Sequence, residues 1–248
     1  MATPTSSHQF RNLIPILATK YDVIAPDFPG SGFTEVPANY TINFDNIAKT
    51  VGTCLEEIPN PPANFSMYIF DYGAPTGFRL ALNRPADVTV IIAQNGIAYE
   101  EGLGDWWASG SADDRSALAP AASLEGTKSQ YFTGTKDPNS IAPETYTLDQ
   151  ALLERPGNKD VQLDLFYDYR NNVAKYPLFQ KWLRGGQVPL LAVWGGKDVI
   201  FPEAGAWAYR RDLSKAEVKI LDAGYFALES NLEDVAGPML DFLKKNGI

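Results

Sequence analysis

Short apolar runs alternate along the chain with stretches whose apolar residues return every three or four positions, as in an α/β protein built on a mostly parallel sheet. Phe10, Leu13, Ile14 and Leu17 share a helical face, with Ser6 or Ser7 placed to cap it. The run from Tyr21 to Ala25 predicts a short strand, stopped by the Pro/Gly loop Pro26-Asp27-Phe28-Pro29-Gly30-Ser31-Gly32. Phe44, Ile47, Ala48, Val51, Leu55 and Ile58 predict a second helix, ended by Pro59-Asn60-Pro61-Pro62. Buried strands follow at Ser66 to Phe70, Val88 to Ala93, Val188 to Trp194 and Val218 to Leu221, and a helix carrying Phe78, Leu80, Ala81 and Leu82 separates the first two. The last helix buries Leu232, Val235, Ala236, Met239, Phe242 and Leu243, with Pro238 set to bend it.

From about Ile97 to Gln187 the rhythm changes. This stretch is rich in aromatic residues and lacks strand–helix alternation. Residues 97–187 are therefore expected to form a mainly helical cap inserted into a core made of 1–96 and 188–248.

Composition narrows the function. Twenty-one basic against thirty acidic residues leave a net charge of −9, which argues against binding nucleic acid or an anionic membrane surface. No apolar run approaches the ~20 residues that span a bilayer. The first residues carry neither a basic nor an apolar signal-peptide region, so a cytoplasmic location is expected. One cysteine, Cys54, and one histidine, His8, exclude an ordinary His/Cys zinc site, and nothing implies an organic cofactor.

In open α/β sheets ligands gather beyond the carboxyl ends of the strands. Four of the predicted strands end there in a polar residue: Asp71, Asn95, Asp198 and Tyr225. Asp71, between a strand and a helix in Asp-Tyr-Gly, is either a side chain presented at a tight turn or simply the helix N-cap.

These motifs resemble the α/β-hydrolase superfamily, in its haloalkane dehalogenase and epoxide hydrolase branch. Val23-Ile24-Ala25-Pro26-Asp27-Phe28-Pro29-Gly30-Ser31-Gly32 is similar to that family's strand-and-loop signature. Ile69-Phe70-Asp71-Tyr72-Gly73-Ala74-Pro75 resembles its nucleophile elbow with aspartate in place of serine, and Val193 to Asp198 resembles the strand end that delivers the triad acid. The resemblance implies that Asp71 attacks an electrophilic carbon of a halide or epoxide, that Asp198 holds the base, and that the N–H groups of Tyr72 and Thr3 receive the oxyanion. It also implies that Trp106, Trp107 and Asn95 line the pocket, and that Tyr99, Tyr131 or Tyr146 polarises a leaving oxygen.

Where the family reads Gly-His-Phe, this chain reads Gly224-Tyr225-Phe226. A phenol is a poor base at neutral pH, so hydrolytic turnover is expected to be impaired. Three readings follow: a hydrolase-fold enzyme on a small hydrophobic substrate, a non-hydrolytic cyclase, isomerase or lyase, and a binding protein. The family also carries strands ahead of Pro4 and one between 21–25 and 66–70 that this sequence does not show. Either 21–25 pairs directly with 66–70, or a homodimer fills the slot.

Overall fold

The computed structural model describes residues 5–105 and 115–248. Four strands, β1 (Phe65–Phe70), β2 (Val88–Gln94), β3 (Leu190–Gly195) and β4 (Glu217–Leu221), form one parallel sheet in the order β1-β2-β3-β4. The helices are α1 (Ile14–Leu17), α2 (Phe44–Glu57), α3 (Gly73–Asn83), α4 (Leu124–Phe132), α5 (Pro143–Leu153), α6 (Asn158–Asp168), α7 (Arg170–Val173), α8 (Tyr176–Gly186), α9 (Ala204–Ala208), α10 (Ala227–Ser230) and α11 (Leu232–Lys245).

The central strands are apolar on both faces because both faces are covered. Ile91 and Ala93 of β2, with Leu190, Ala192 and Trp194 of β3, pack with Phe44 and Ile47 of α2, Phe78 of α3 and Phe179 of α8. Their alternates Val90, Ile92, Leu191 and Val193 pack with Leu13, Leu17 and the Val235, Met239 and Phe242 face of α11. The period-2 alternation of each strand thus divides the core into two clusters, one on each side of the sheet.

The predicted strand at 21–25 does not form. Residues 22–28 carry no ladder, and among the described residues β1 pairs only with β2. Two prolines in the segment, Pro26 and Pro29, have no N–H to give. The segment is held by side chains instead: the Asp27 carboxylate accepts the N–H of Ser7 at 2.6 Å and of Phe33 at 2.9 Å. Direct pairing of 21–25 with β1 is thereby corrected. Ser6 caps the turn at Ser7–Phe10, as its position ahead of the first apolar stripe anticipated.

Between β2 and β3 the described residues are helical, and side chains seat them on the strand-end loops. Gln162 Nε2 donates to the Gly30 carbonyl at 3.1 Å, Arg155 to the Gly32 carbonyl at 2.8 Å, and Gln180 to the Ala98 carbonyl at 2.9 Å. The Asp168 carboxylate accepts the N–H of Phe44 at 3.0 Å, adding a negative charge at the start of α2.

The loops after β3 and β4 interlock through backbone contacts and an ion pair between Lys197 and Asp222 at 2.5 Å. Lys197 N–H donates to the Ala223 carbonyl at 2.9 Å, and a Cβ on Gly195 would be driven into the Gly224 carbonyl. Gly195→Ala should therefore cost more than ~3 kcal/mol, since backbone rather than a flexible side chain must yield. Gly185→Ala, exposed on α8 with nothing within 4 Å of the added carbon, should gain up to ~1 kcal/mol from helix propensity. Denaturant midpoints of the two variants check the contrast.

Candidate active site

Asp71 leaves β1 at φ +44°, a left-handed conformation that costs an aspartate about 1–2 kcal/mol. A capping aspartate would be extended, and the N-cap of α3 is Tyr72, which makes no side-chain cap. The turn therefore presents the Asp71 side chain rather than using it as a cap. Its geometry is held by the Ala74 N–H donating to the Asp71 carbonyl at 2.9 Å, and by close approach of α3 to β1. A Cβ on Gly77 would lie 2.8 Å from Ile69 Cγ2. Tyr72, next in the chain, puts its N–H at the open N-terminal end of α3, where negative charge is favoured.

Tyr225 lies against this turn. Its hydroxyl is hydrogen-bonded to the Asp71 carboxylate, and its ring packs on Phe70 at 4.6 Å and Phe226 at 4.7 Å. Burial, reinforced by the charges of Asp71 and Asp198, pushes its pKa well above the ordinary phenol value. The phenol stays protonated and can donate, not abstract. Gln94, at the end of β2, fixes the backbone here: its Nε2 donates to the Tyr225 carbonyl at 3.1 Å, while its Oε1 accepts the hydroxyl of Tyr68.

Asp198 is buried behind β3 in a fully built seat. It accepts the N–H of Ile200 at 2.7 Å and of Phe201 at 3.2 Å, and the Nδ2 of Asn95 at 2.7 Å. Burial outweighs these three donors and pushes its pKa up to about 7, with the Asp71 charge adding to the rise. Asn95 also accepts the Gly195 N–H at 2.9 Å and reaches its carbonyl at 3.3 Å. Held at φ +42°, it clamps β2 to β3 and positions Asp198. Its amide is committed to the protein rather than offered to a halide.

The structure thus gathers Asp71, Tyr72, Asp198 and Tyr225, with Asn95 behind them. Tyr99, Tyr131 and Tyr146, of which one was expected to polarise a leaving oxygen, have these surroundings. Tyr99 donates to Asp212 at 2.9 Å, a carboxylate also held by Arg184 at 2.8 Å. Tyr131 donates to Asp149 at 2.5 Å and stacks on Phe226 at 4.0 Å. Tyr146 packs at the edges of Tyr131 and Phe132, with the Lys128 ammonium 5.7 Å over its ring. Thr3, Trp106 and Trp107 lie outside the described residues. His8 sits half-buried beside Arg11, Glu229 and Glu144; burial first, and then Arg11, lower its pKa.

The phenols that do reach the site are Tyr169 and Tyr176, which the sequence reading passed over. Both are buried, both feel the charge of Asp71, and their hydroxyls interact with each other. Burial raises both pKa values, so each is a neutral donor. Tyr169 packs at 6.2 Å from Tyr72 and 6.3 Å from Phe201, and Phe44 stands edge-on to Tyr72 at 5.0 Å. The sequence did hold a signal: Tyr169 and Tyr176 are seven residues apart, two turns of one helical face.

Another buried carboxyl, Asp149 of α5, faces Tyr131 of α4, Glu229 of α10 and Arg11; burial pushes it up to about 7. A carboxyl whose folded pKa is raised favours the fold while protonated, so stability falls as pH climbs from about 5 through 7. His8, whose pKa is lowered, acts in the opposite sense. Asp149→Asn should therefore flatten the loss of stability between pH 5 and 8 relative to the parent, by at most about 1.4 kcal/mol per pH unit. Urea midpoints of both proteins across that range measure it.

The alpha/beta hydrolase fold family matches residues 2–232. The chain is 45% identical to an uncharacterized hydrolase of Saccharomyces cerevisiae, over 98% of this chain and 87% of that one. Among solved structures it is similar to a point variant of the haloalkane dehalogenase DatA from Agrobacterium tumefaciens C58, with a TM-score of 0.80 and 18% identity over 98% of this chain and 88% of that one. It is also similar to the epoxide hydrolase CorEH, with a TM-score of 0.79 and 18% identity over 98% and 89%. At those identities the two structures speak for the fold. With the family match spanning nearly the whole sequence, the chain belongs to the alpha/beta hydrolase fold family.

Proposed function

We propose that this protein is a hydrolase-fold enzyme acting on a small, largely apolar electrophile, with Asp71 as nucleophile and with turnover stalled after the first chemical step. One observation carries the reading: a buried aspartate, held on a strained strand-to-helix turn, faces two neutral phenols. An Asp71 oxygen attacks a ring carbon of an epoxide; the new C–O ester bond forms as the ring C–O bond breaks. The released alkoxide takes a proton from Tyr169 or Tyr176, and solvent returns that proton later. The aromatic walls exclude water during attack and favour an uncharged substrate.

The second step needs a base to take a proton from water as it adds to the Asp71 ester. Tyr225 occupies that place as a protonated phenol, and Asp198 has no imidazole to orient. The ester is therefore long-lived. The phenol pair favours an epoxide over a halide, because a departing oxygen gains a proton whereas a halide needs none. A non-hydrolytic reaction keeps one support: the hydrogen bond from Tyr225 to Asp71 would serve an acid–base pair as well as a nucleophile.

Intact-protein mass spectrometry after incubation with styrene oxide tests the assignment. A stable adduct of the epoxide's mass is expected, located on Asp71 and abolished in Asp71→Asn. Tyr225→His should speed ester breakdown by about 10²-fold or more and give diol turnover. If no adduct forms in either background, the nucleophilic reading is wrong. Tyr169→Phe and Tyr176→Phe should each slow labelling by epoxides by roughly 10-fold or more while sparing labelling by alkyl halides. Equal slowing of both reagents would remove the proton-donor role.

A further inference from the structure

From Tyr169 to Phe179 the chain coils right-handed across the junction of α7 and α8, and its burial is one-sided. Tyr169, Asn172, Tyr176 and Phe179 are buried, while Arg170, Asn171, Ala174, Pro177 and Leu178 lie toward the outside. That spacing is a single helical stripe. Three of its residues are the two site phenols and an aromatic of the core. The fourth is an asparagine that is fully buried, and neither its Oδ1 nor its Nδ2 has a hydrogen-bond partner in the protein.

Leaving such groups unpaired costs about 1–3 kcal/mol each, and a leucine of similar size would avoid that cost. Asn172 is about one turn, ~5 Å, from each phenol along the stripe. We propose that Asn172 is a specificity-determining residue whose carboxamide binds a neutral hydroxyl on the substrate that Asp71 attacks. This rests on the Asp71 reading above.

The chemistry selects the class. A carboxamide offers N–H donors and a carbonyl acceptor side by side, and a hydroxyl accepts from one and donates to the other. An anionic substituent would meet Asp71 and Asp198, and a cationic one would be stripped of water among aromatic rings. Epoxy alcohols are small neutral electrophiles that carry such a hydroxyl.

The experiment compares glycidol with 1,2-epoxybutane, which carries methyl where glycidol carries hydroxyl. The single-turnover rate of Asp71 labelling is measured in the parent and in Asn172→Leu. The parent is expected to label faster with glycidol. Asn172→Leu should slow glycidol by about 10-fold or more, speed epoxybutane and invert the preference, while its thermal midpoint stays level or rises. An unchanged rate ratio overturns the proposal. So does a fall in midpoint with both probes slowed alike, which would mark an amide serving buried solvent or packing.

If neither probe labels the parent, the nucleophilic reading has failed, and binding then decides Asn172 by itself. In an NMR titration with glycerol and butane-1,2-diol, a parent preference for glycerol that is lost in Asn172→Leu supports it. No preference in the parent overturns it.

Discussion

The site depends on a backbone conformation that aspartate does not choose. At φ +44°, Asp71 is held where only glycine rests easily, and the surrounding structure holds it there. β1 brings the chain in, paired to β2 from Phe65 through Phe70; α3 takes it out again, close enough to β1 that Gly77 has no room for a side chain. The adjacent strand end repeats the device. Asn95 at φ +42° turns its amide across to β3 and fixes both Gly195 and Asp198. Two residues at positive φ at neighbouring strand ends, each supported by a parallel ladder, set the positions of the two carboxyls. The ladders hold that backbone, and the backbone aims the side chains.

With the carboxyls so placed, the electrostatics turn on what stands between them. Asp198 has three donors and still lies near 7, because burial among aromatic rings removes more than those donors restore. A cation beside it would reverse that balance, and Tyr225 supplies none. The phenol fills the space, keeps its proton and hydrogen-bonds Asp71. Phe70, Phe201 and Phe226 pack against its ring, and Gln94 grips the backbone carbonyl of the same residue.

Much of this was readable in the sequence, for identifiable reasons. All four strands and the long helices α2, α3 and α11 announce themselves because buried parallel strands are short continuous apolar runs and amphipathic helices repeat every 3.6 residues. Asp71, Asn95, Asp198 and Tyr225 were legible as strand-end residues because ligands in such folds gather just past the strands. What failed was local patterning without its partner. Tyr21 to Ala25 has the apolar run of a strand, but a strand needs a neighbouring ladder, which composition does not reveal. The tyrosines failed in the same way. Tyr99, Tyr131, Tyr169 and Tyr176 are all buried, and only their surroundings tell them apart: Tyr99 donates to Asp212 and Tyr131 to Asp149, while Tyr169 and Tyr176 feel the charge of Asp71.

The division of labour in the site follows from these two kinds of element. Charge comes from the sheet, where ladders and strained turns can hold a carboxylate against its preference for water. Neutral hydrogen-bonding groups come from the helical segment between β2 and β3, whose inward stripe interleaves Tyr169, Asn172 and Tyr176 with the aromatic core. Such a stripe ties its residues together: moving one phenol turns the helix and moves the amide and the second phenol with it. Side-chain bonds from Arg155, Gln162 and Gln180 to the backbone carbonyls of Gly32, Gly30 and Ala98 fix this segment to the strand-end loops. The neutral hydrogen-bonding groups thus belong to the helical segment, while the carboxyl geometry belongs to the sheet.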